Sequence, residues 1–487
     1  MILDSWPFTL YQTLYNAFLA SLAAYAAYYT YWQCTTGASH RRFISTHGCK
    51  PAKQWRRYDP ILGLDILWDL YKAMKAHNGL EKMKGRFDHF GADTAYLRIF
   101  GRTLFATIEP ENLKCILSLR FKEYSLGEER KKAMIPFLGE GILETDGEKW
   151  HQSRELLRPS FTRNQIGDLE LFERHVQNLI QAIPKNGEMV DLQPLFFKFT
   201  LDAATEFLFG ESVLTLKPEE ANPGAAEFVR AFTYCQTSLE GQSDDWGILA
   251  LFLPNPKLKR QYKIIHAFVD SLIEKAKQDH ERYEQEKEHS NRRIFIHEVL
   301  AQTTNAAKIR AEALNILMAG RDTTASLLSN VWFELSRRPT IWNALRKEID
   351  TLDGAIPSFE ELKQLKYLRA LLNESLRLHP VVPENSRQAE VDTCLPVGGG
   401  PDGKSPVFIE KGKYVLWSAY AMHRRKDLFG DDAEEFKPER WLDDSQSGEK
   451  GLRVGWEYLP FNGGPRICIG RKCFYFMFEL SMNADSH

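Results

Sequence analysis

Phe461-Asn462-Gly463-Gly464-Pro465-Arg466-Ile467-Cys468-Ile469-Gly470 is the stretch that decides how this chain is read. Two glycines and a proline ahead of the cysteine make a turn tighter than a side-chain-rich backbone can follow. The turn aims Cys468 at a metal, and Gly470 just beyond lets the backbone stay close to a flat ligand. A helix beginning at the cysteine would add its positive end, lower the thiol pKa and favour the thiolate. The plainer alternative is a free core cysteine after a glycine turn.

Composition narrows what such a thiolate could serve. A chain of 487 residues, 43% hydrophobic and 26% charged, can bury a large core and is not disordered. No Gly/Ser- or Pro-rich linker and no internal repeat divides it. The net charge of -2 argues against a nucleic-acid partner. Seven cysteines (Cys34, Cys49, Cys115, Cys235, Cys394, Cys468, Cys473) are scattered without pairing rhythm, which suits a reducing compartment. Cys468 and Cys473 lack the Cys-x-x-Cys spacing of a zinc site.

From Ser5 to Ser39 there is no Asp, Glu, Lys or Arg. Phe8 to Trp32 is long enough to cross ~30 Å of hydrocarbon as a helix. Tyr25, Tyr28, Tyr29, Tyr31 and Trp32 gather at its end, where amphipathic rings favour the headgroup layer. Arg41 and Arg42 follow, so the positive-inside bias keeps the rest of the chain cytosolic. The segment reads as a membrane anchor; its Tyr, Thr and Gln content leaves an interfacial helix open. A cleaved signal peptide fits less well, because the first residues carry Asp4 and no basic residue.

Beyond the anchor the pattern is mainly helical. Glu312 to Arg338 has helical apolar spacing up to Pro339, and Leu365 to His379 is stopped by Pro380. Gln165 to Ile183, Leu192 to Phe209 and Gln261 to Tyr283 also read as helices, the last grading into a solvated charge run through Arg293. Strands are few and short: Thr94 to Phe100, Thr103 to Thr107, Ser386 to Ala389, and Val407 to Leu416. The expected class is mainly α with a small β-sheet.

Three further constellations accompany the cysteine loop. Glu374-x-x-Arg377 places an acid and a base on one helix face, and Phe436-Lys437-Pro438-Glu439-Arg440-Trp441 precedes the loop. Alone, the pair would be an ordinary surface ion pair. Ala319-Gly320-Arg321-Asp322-Thr323-Thr324 sits inside the long helix, where Gly320 costs about 1 kcal/mol relative to Ala. Without the cysteine loop this would be a plain helix with polar residues bonded to backbone. Trp150 and Arg154 lie one turn apart and put an indole N–H and a guanidinium on one face, with Arg387 and Arg466 as further cations.

Taken together these residues resemble the cytochrome P450 superfamily, whose cysteine loop has the pattern F-x-x-G-x-R-x-C-x-G. Phe461, Gly464, Arg466, Cys468 and Gly470 match it at the right spacing. The resemblance implies the cytochrome P450 fold with an N-terminal transmembrane anchor helix over residues 1–42 and a haem domain over 43–487. It implies haem b (iron protoporphyrin IX) with an axial thiolate from Cys468. Glu374, Arg377 and Arg440 would form a buried ionic triad. Asp322 and Thr323 would relay protons to bound dioxygen beside space left by Gly320. Trp150, Arg154, Arg387 and Arg466 would hold the haem propionates, for which the guanidinium fork is suited.

The likeness runs from about Gly48 to Arg471 and is strongest to the fungal alkane- and fatty-acid-hydroxylating branch. It rests there on His47 to Pro51, Ile142 to Arg163, Leu201 to Val213 and Tyr420 to Trp441. The implied function is O2-dependent hydroxylation of a lipophilic long-chain substrate at or near its terminal carbon, at the endoplasmic reticulum membrane. Electrons would come from NADPH-cytochrome P450 reductase, since no flavin or nicotinamide motif is evident. It would dock on a basic patch including some of Arg158, Arg163, Arg471 and Lys472. Two alternatives stand beside this: a haem-thiolate dehydratase or isomerase of oxygenated lipids, and an inactive product. The second arises because Phe474 stands six beyond the cysteine, where the family has Ala, within an aromatic run from Cys473 to Phe478. On that pattern the haem domain is expected to be incomplete after Arg471 and to bind haem poorly. Trp246 to Leu253 reads as an access lip or an ordinary buried loop.

Overall fold

A computed structural model describes residues 6–55, 58–59, 62–161, 169–222, 224–239, 255–287, 294–352, 359–443, 448 and 450–471. Arg163, Trp246 to Leu253, and everything after Arg471 (Lys472, Cys473 and Phe474 among them) lie outside the described residues.

The helices that matter to the site are α1 (Trp6–Cys34), α2 (Thr36–Thr46), α3 (Gly147–Leu157), α4 (Leu169–Ala182), α5 (Leu192–Phe209), α6 (Ala225–Leu239), α7 (Pro256–Lys287), α8 (Ala306–Leu335) and α9 (Lys366–Leu378). Sequence signals place some of their ends. Asp191 caps α5 by accepting from the Gln193 N–H at 3.1 Å, and Gly210 closes it in the left-handed region. Pro256 opens α7. The long helix starts at Ala306 rather than Glu312, because Asn305 accepts from the Lys308 N–H and caps a first turn of mixed polarity.

Six strands form one sheet in the order β1 (Lys53–Gln54), β2 (Thr94–Ile99), β3 (Arg102–Thr107), β8 (Tyr414–Ser418), β5 (Glu384–Ala389), β4 (Tyr124–Ser125). A separate hairpin pairs β6 (Thr393–Gly399) with β7 (Ser405–Ile409). The single strand expected over Val407 to Leu416 is therefore two strands in two different sheets. Gly412, at φ 83°, and a Lys413 N–H bond to the Glu410 carbonyl (3.1 Å) turn the chain between them. The Glu410-Lys411-Gly412-Lys413 run between the two apolar stretches is the local signal of that turn.

The central helix α8 joins two apolar cores. Its C-terminal half (Ala325, Leu328, Val331, Leu335) packs with α4, α5 and α9, and its N-terminal half (Ile309, Leu314, Leu317) with α6 and α7. Between them burial breaks: Ala319 is exposed and Gly320 half-buried, although Leu317 and Arg321 on either side are buried. An exposed alanine midway along a core helix marks a concavity inside the molecule.

At the N-terminus, α1 is a continuous helix of 29 residues. Among the described residues no helix is long and apolar enough to cross a membrane. The transmembrane span expected over Phe8 to Trp32 is thus not met, since its tyrosines, Thr13, Asn16 and Gln12 dilute the apolar run. The helix is nonetheless rimmed with exposed rings, including Tyr11, Tyr15, Tyr25, Tyr28 and Tyr31. Arg41 ties α2 back to α1 by donating to the Gln33 side chain (2.6 Å) and carbonyl (2.7 Å). Phe43 of α2 rests on Phe408 of β7 with ring centroids 5.4 Å apart.

Candidate functional site

The cysteine loop is closed by its own backbone. Cys468 N–H donates to the Phe461 carbonyl at 2.9 Å, and Ile467 N–H to the Gly464 carbonyl at 3.1 Å. Gly464 has φ 63°, and a Cβ there would lie 1.9 Å from the Leu117 carbonyl oxygen, so glycine alone fits. Gly470 passes beside Cys468, its would-be Cβ 3.9 Å from the sulfur. The backbone N–H groups of Gly470 and Arg471 and the charge of Arg154 favour the thiolate. Burial outweighs them and pushes the thiol up, the reverse of the lowering expected from a helix end alone. The residue still keeps accessible surface, as a thiol lining an internal concavity does.

Cations surround the neighbouring indole. Trp150, buried on α3, lies between the guanidiniums of Arg466 and Arg154, at 4.6 and 5.8 Å from its ring. Arg154 donates to the Ile467 carbonyl at 3.1 Å, joining α3 to the cysteine loop. Arg466 donates to Asp146 (2.7 Å) and to the Thr145 carbonyl (2.6 Å). Burial, with Arg130 and Arg154 adding like charge against Asp146 and Glu144, pulls Arg466 down to about 10. Arg387, almost wholly buried on β5, bonds only neutral oxygens among the described residues, Asn385 Oδ1 at 3.1 Å and the Ser386 carbonyl at 2.6 Å. Burial, then Arg466 and Arg130, hold it down at about 9.

On α8, Thr323 donates back to the Ala319 carbonyl at 2.6 Å, beside the break in burial. A Cβ on Gly320 would meet nothing within 4 Å, so space remains on that face even with a side chain. Asp322 faces another group: its carboxylate accepts from Gln236 of α6 and, at 3.0 Å, from Arg321, whose guanidinium stacks on Phe197 and Phe232. Thr323 and Asp322 thus share one turn but are held by different partners. Gln236 and Asp146 escaped the sequence reading because each lies far along the chain from the residue it holds.

Behind the loop, Glu374 and Arg377 of α9 are fully buried. Arg377 grips Glu374 bidentately (2.9 and 2.8 Å) and donates to the carbonyls of His423, Ala433 and Glu435. Arg440 Nε donates to the same carboxylate at 2.9 Å, as do Trp441 Nε1 (3.0 Å) and the Lys437 N–H (2.8 Å).

Residues 64–478 match the family model described as Cytochrome P450, a match that continues past Arg471. The chain is 42% identical over 465 residues to the cytochrome P450 monooxygenase himC of Aspergillus japonicus, covering 94% of this chain and 80% of that one. It is 42% identical over 433 residues to cytochrome P450 52A10 of Candida maltosa, covering 85% and 82%. A similar likeness, 42% over 424 residues and covering 84% and 80%, relates it to cytochrome P450 52E1 of Candida apicola. The chain belongs to the cytochrome P450 family.

A cytochrome P450 is a monooxygenase that uses haem b with a cysteine thiolate as axial ligand. The residues present fit that group. Among the described residues no carboxylate bonds the buried Arg387, and the charge of Asp146 does not offset its burial and the neighbouring arginines, so an anionic edge group would supply a direct counter-charge.

Proposed function

We propose that this cytochrome P450 hydroxylates a long-chain aliphatic substrate, an n-alkane or fatty acid, at or near its terminal carbon. The observation that carries the haem site is the buried Arg387, which no carboxylate bonds among the described residues and which feels the charge of Arg466, together with Arg466 and Arg154 flanking Trp150 beside the loop that presents Cys468. Cys468 would ligate the haem iron, and Arg387, Arg466, Arg154 and Trp150 would hold the propionates. When bound, haem b supplies the activation of dioxygen. Thr323 keeps a hydroxyl proton at the edge of the concavity by donating to the Ala319 carbonyl, and Asp322 holds the next site along the turn. The aliphatic substrate class rests on the likeness to the fungal branch and on the relatives of the 52 series.

Electrons come from NADPH-cytochrome P450 reductase, docking over the exposed Arg158 and Arg471. Membrane association follows from α1, whose exposed tyrosines suit the headgroup layer of the endoplasmic reticulum. The test is a pair of measurements on the full chain and on Cys468→Ser. The wild type should give a thiolate-type reduced CO spectrum and, with reductase, oxidise deuterated alkanes and fatty acids at the terminal carbon. The variant should lose both. A thiolate-type spectrum in Cys468→Ser would reject the ligand, and products hydroxylated only mid-chain or on rings would reject the substrate class.

A further inference from the structure

His423 has no part in the reading above, yet it stands between the ionic network of α9 and the start of the cysteine loop. It is fully buried, the first residue after the short helix Ala419–Met422. Its Nε2 accepts a hydrogen bond from the Leu459 N–H at 3.0 Å. Its Nδ1 lies 3.2 Å from the Arg377 carbonyl. A backbone N–H can only donate, so Nε2 must be bare. A neutral ring then carries its proton on Nδ1, where the carbonyl accepts it. One tautomer satisfies both ends. Arg377 in turn donates to the His423 carbonyl at 2.9 Å, and the ring packs against Tyr458 and Phe429.

Leu459 begins the loop. Its carbonyl accepts from the Asn462 N–H (3.3 Å), and Phe461, two residues on, accepts from Cys468 N–H (2.9 Å). The line of bonds runs from Glu374 and Arg377 through the imidazole to Leu459 and on to the cysteine. We propose that His423 is a positioning residue for the axial thiolate, fixing through the Leu459 amide the height at which the loop presents Cys468. This rests on Cys468 being the ligand. A loop freed at Leu459 lets the sulfur withdraw, and the bound group is then held by a neutral thiol or lost. The strong downward pull on the imidazole pKa, to about 3, agrees with a ring kept neutral by burial beside Arg377 and Arg424.

The full chain, loaded with haem, is compared as wild type, His423→Leu, His423→Gln and His423→Asn. The readouts are the ratio of thiolate-type to thiol-type bands in the reduced CO spectrum, and hydrogen exchange at the Leu459 amide. Leu removes the acceptor; Gln reaches the place of Nε2, and Asn does not. A buried N–H left without a partner should shift the ratio roughly tenfold toward the thiol form in His423→Leu and His423→Asn. Leu459 protection should fall alongside, and His423→Gln should restore both to near wild type. If Leu prevents folding, the Gln and Asn pair decides alone. A wild-type ratio in His423→Asn or His423→Leu overturns the proposal, and so does equal loss of fold in all three variants. A wild type without any thiolate-type band would reject Cys468 as ligand instead, while Leu459 exchange would still report whether His423 pins the loop.

Discussion

Glu374 accepts from two arginines, an indole and a backbone amide while lying wholly inside the protein. A carboxylate there is tolerated because every lone pair has a donor. Glu374→Gln keeps the shape but leaves Arg377 buried without a counter-charge, which costs about 3–5 kcal/mol. The expected outcome is a chain that melts well below the wild type and retains little haem; a melting temperature within a degree or two would show that the carbonyl partners suffice. Glu384, the first residue of β5, is the opposite case. One of its oxygens is buried without a hydrogen-bond partner among the described residues, and burial raises the carboxyl to about 7 despite Arg86 nearby. A folded pKa above the unfolded value means stability is lost as pH rises from the ordinary carboxylate range through about 7. Glu384→Gln should therefore be near neutral at pH ~4.5 and stabilising by about 1–3 kcal/mol at pH ~8. Thermal scans at the two pH values check it, and equal shifts at both would reject the buried-acid account.

At the scale of elements, the turn before the cysteine is a fit between two backbones. Gly464 has no room for a Cβ because the Leu117 carbonyl, on the one-turn helix Cys115–Leu119, sits directly against it. Gly464→Ala must push the loop away from that helix or open its left-handed turn, and either displaces Cys468. The expectation is at least tenfold less thiolate-type haem per folded chain, read from the CO spectrum against far-ultraviolet dichroism, whereas Gly320→Ala, which meets open space, should leave that ratio alone. This contrast shows what the sequence did and did not disclose. The pattern around Cys468 announced itself because a glycine-rich turn is local chemistry. Leu192 to Phe209 was legible to the residue because its cap and its stop are both written in the chain. Partners across the fold were not. That Asp322 is held by Gln236, that Leu117 dictates Gly464, and that β7 and β8 join two different sheets all depend on contacts that no spacing encodes.

Over the whole molecule, acid stability is set by buried groups pulling in opposite directions. His423 is held neutral down to about 3, so the unfolded chain binds its proton first. Its contribution is complete above the ordinary histidine range and drains away as pH falls toward 3, with a slope of up to about 1.4 kcal/mol per pH unit. Glu384, raised to about 7, gives a slope of the other sign between the ordinary carboxylate range and neutrality. Glu144 and Asp202, both raised chiefly by burial, act in its sense. Where the windows overlap, from roughly pH 4.5 to 6.5, the histidine and Glu384 offset one another. Removing one should therefore uncover the other. Glu384→Gln is expected to lose stability on acidification through that window more steeply than the wild type, and His423→Gln less steeply. The double variant should return toward the wild-type slope, since the other carboxyls are common to all four proteins and cancel in the differences. Apparent melting temperatures at half-unit pH steps measure this cycle. Parallel curves for all four chains would mean that neither group changes its protonation on unfolding, and that the acid response belongs to the remaining buried carboxyls.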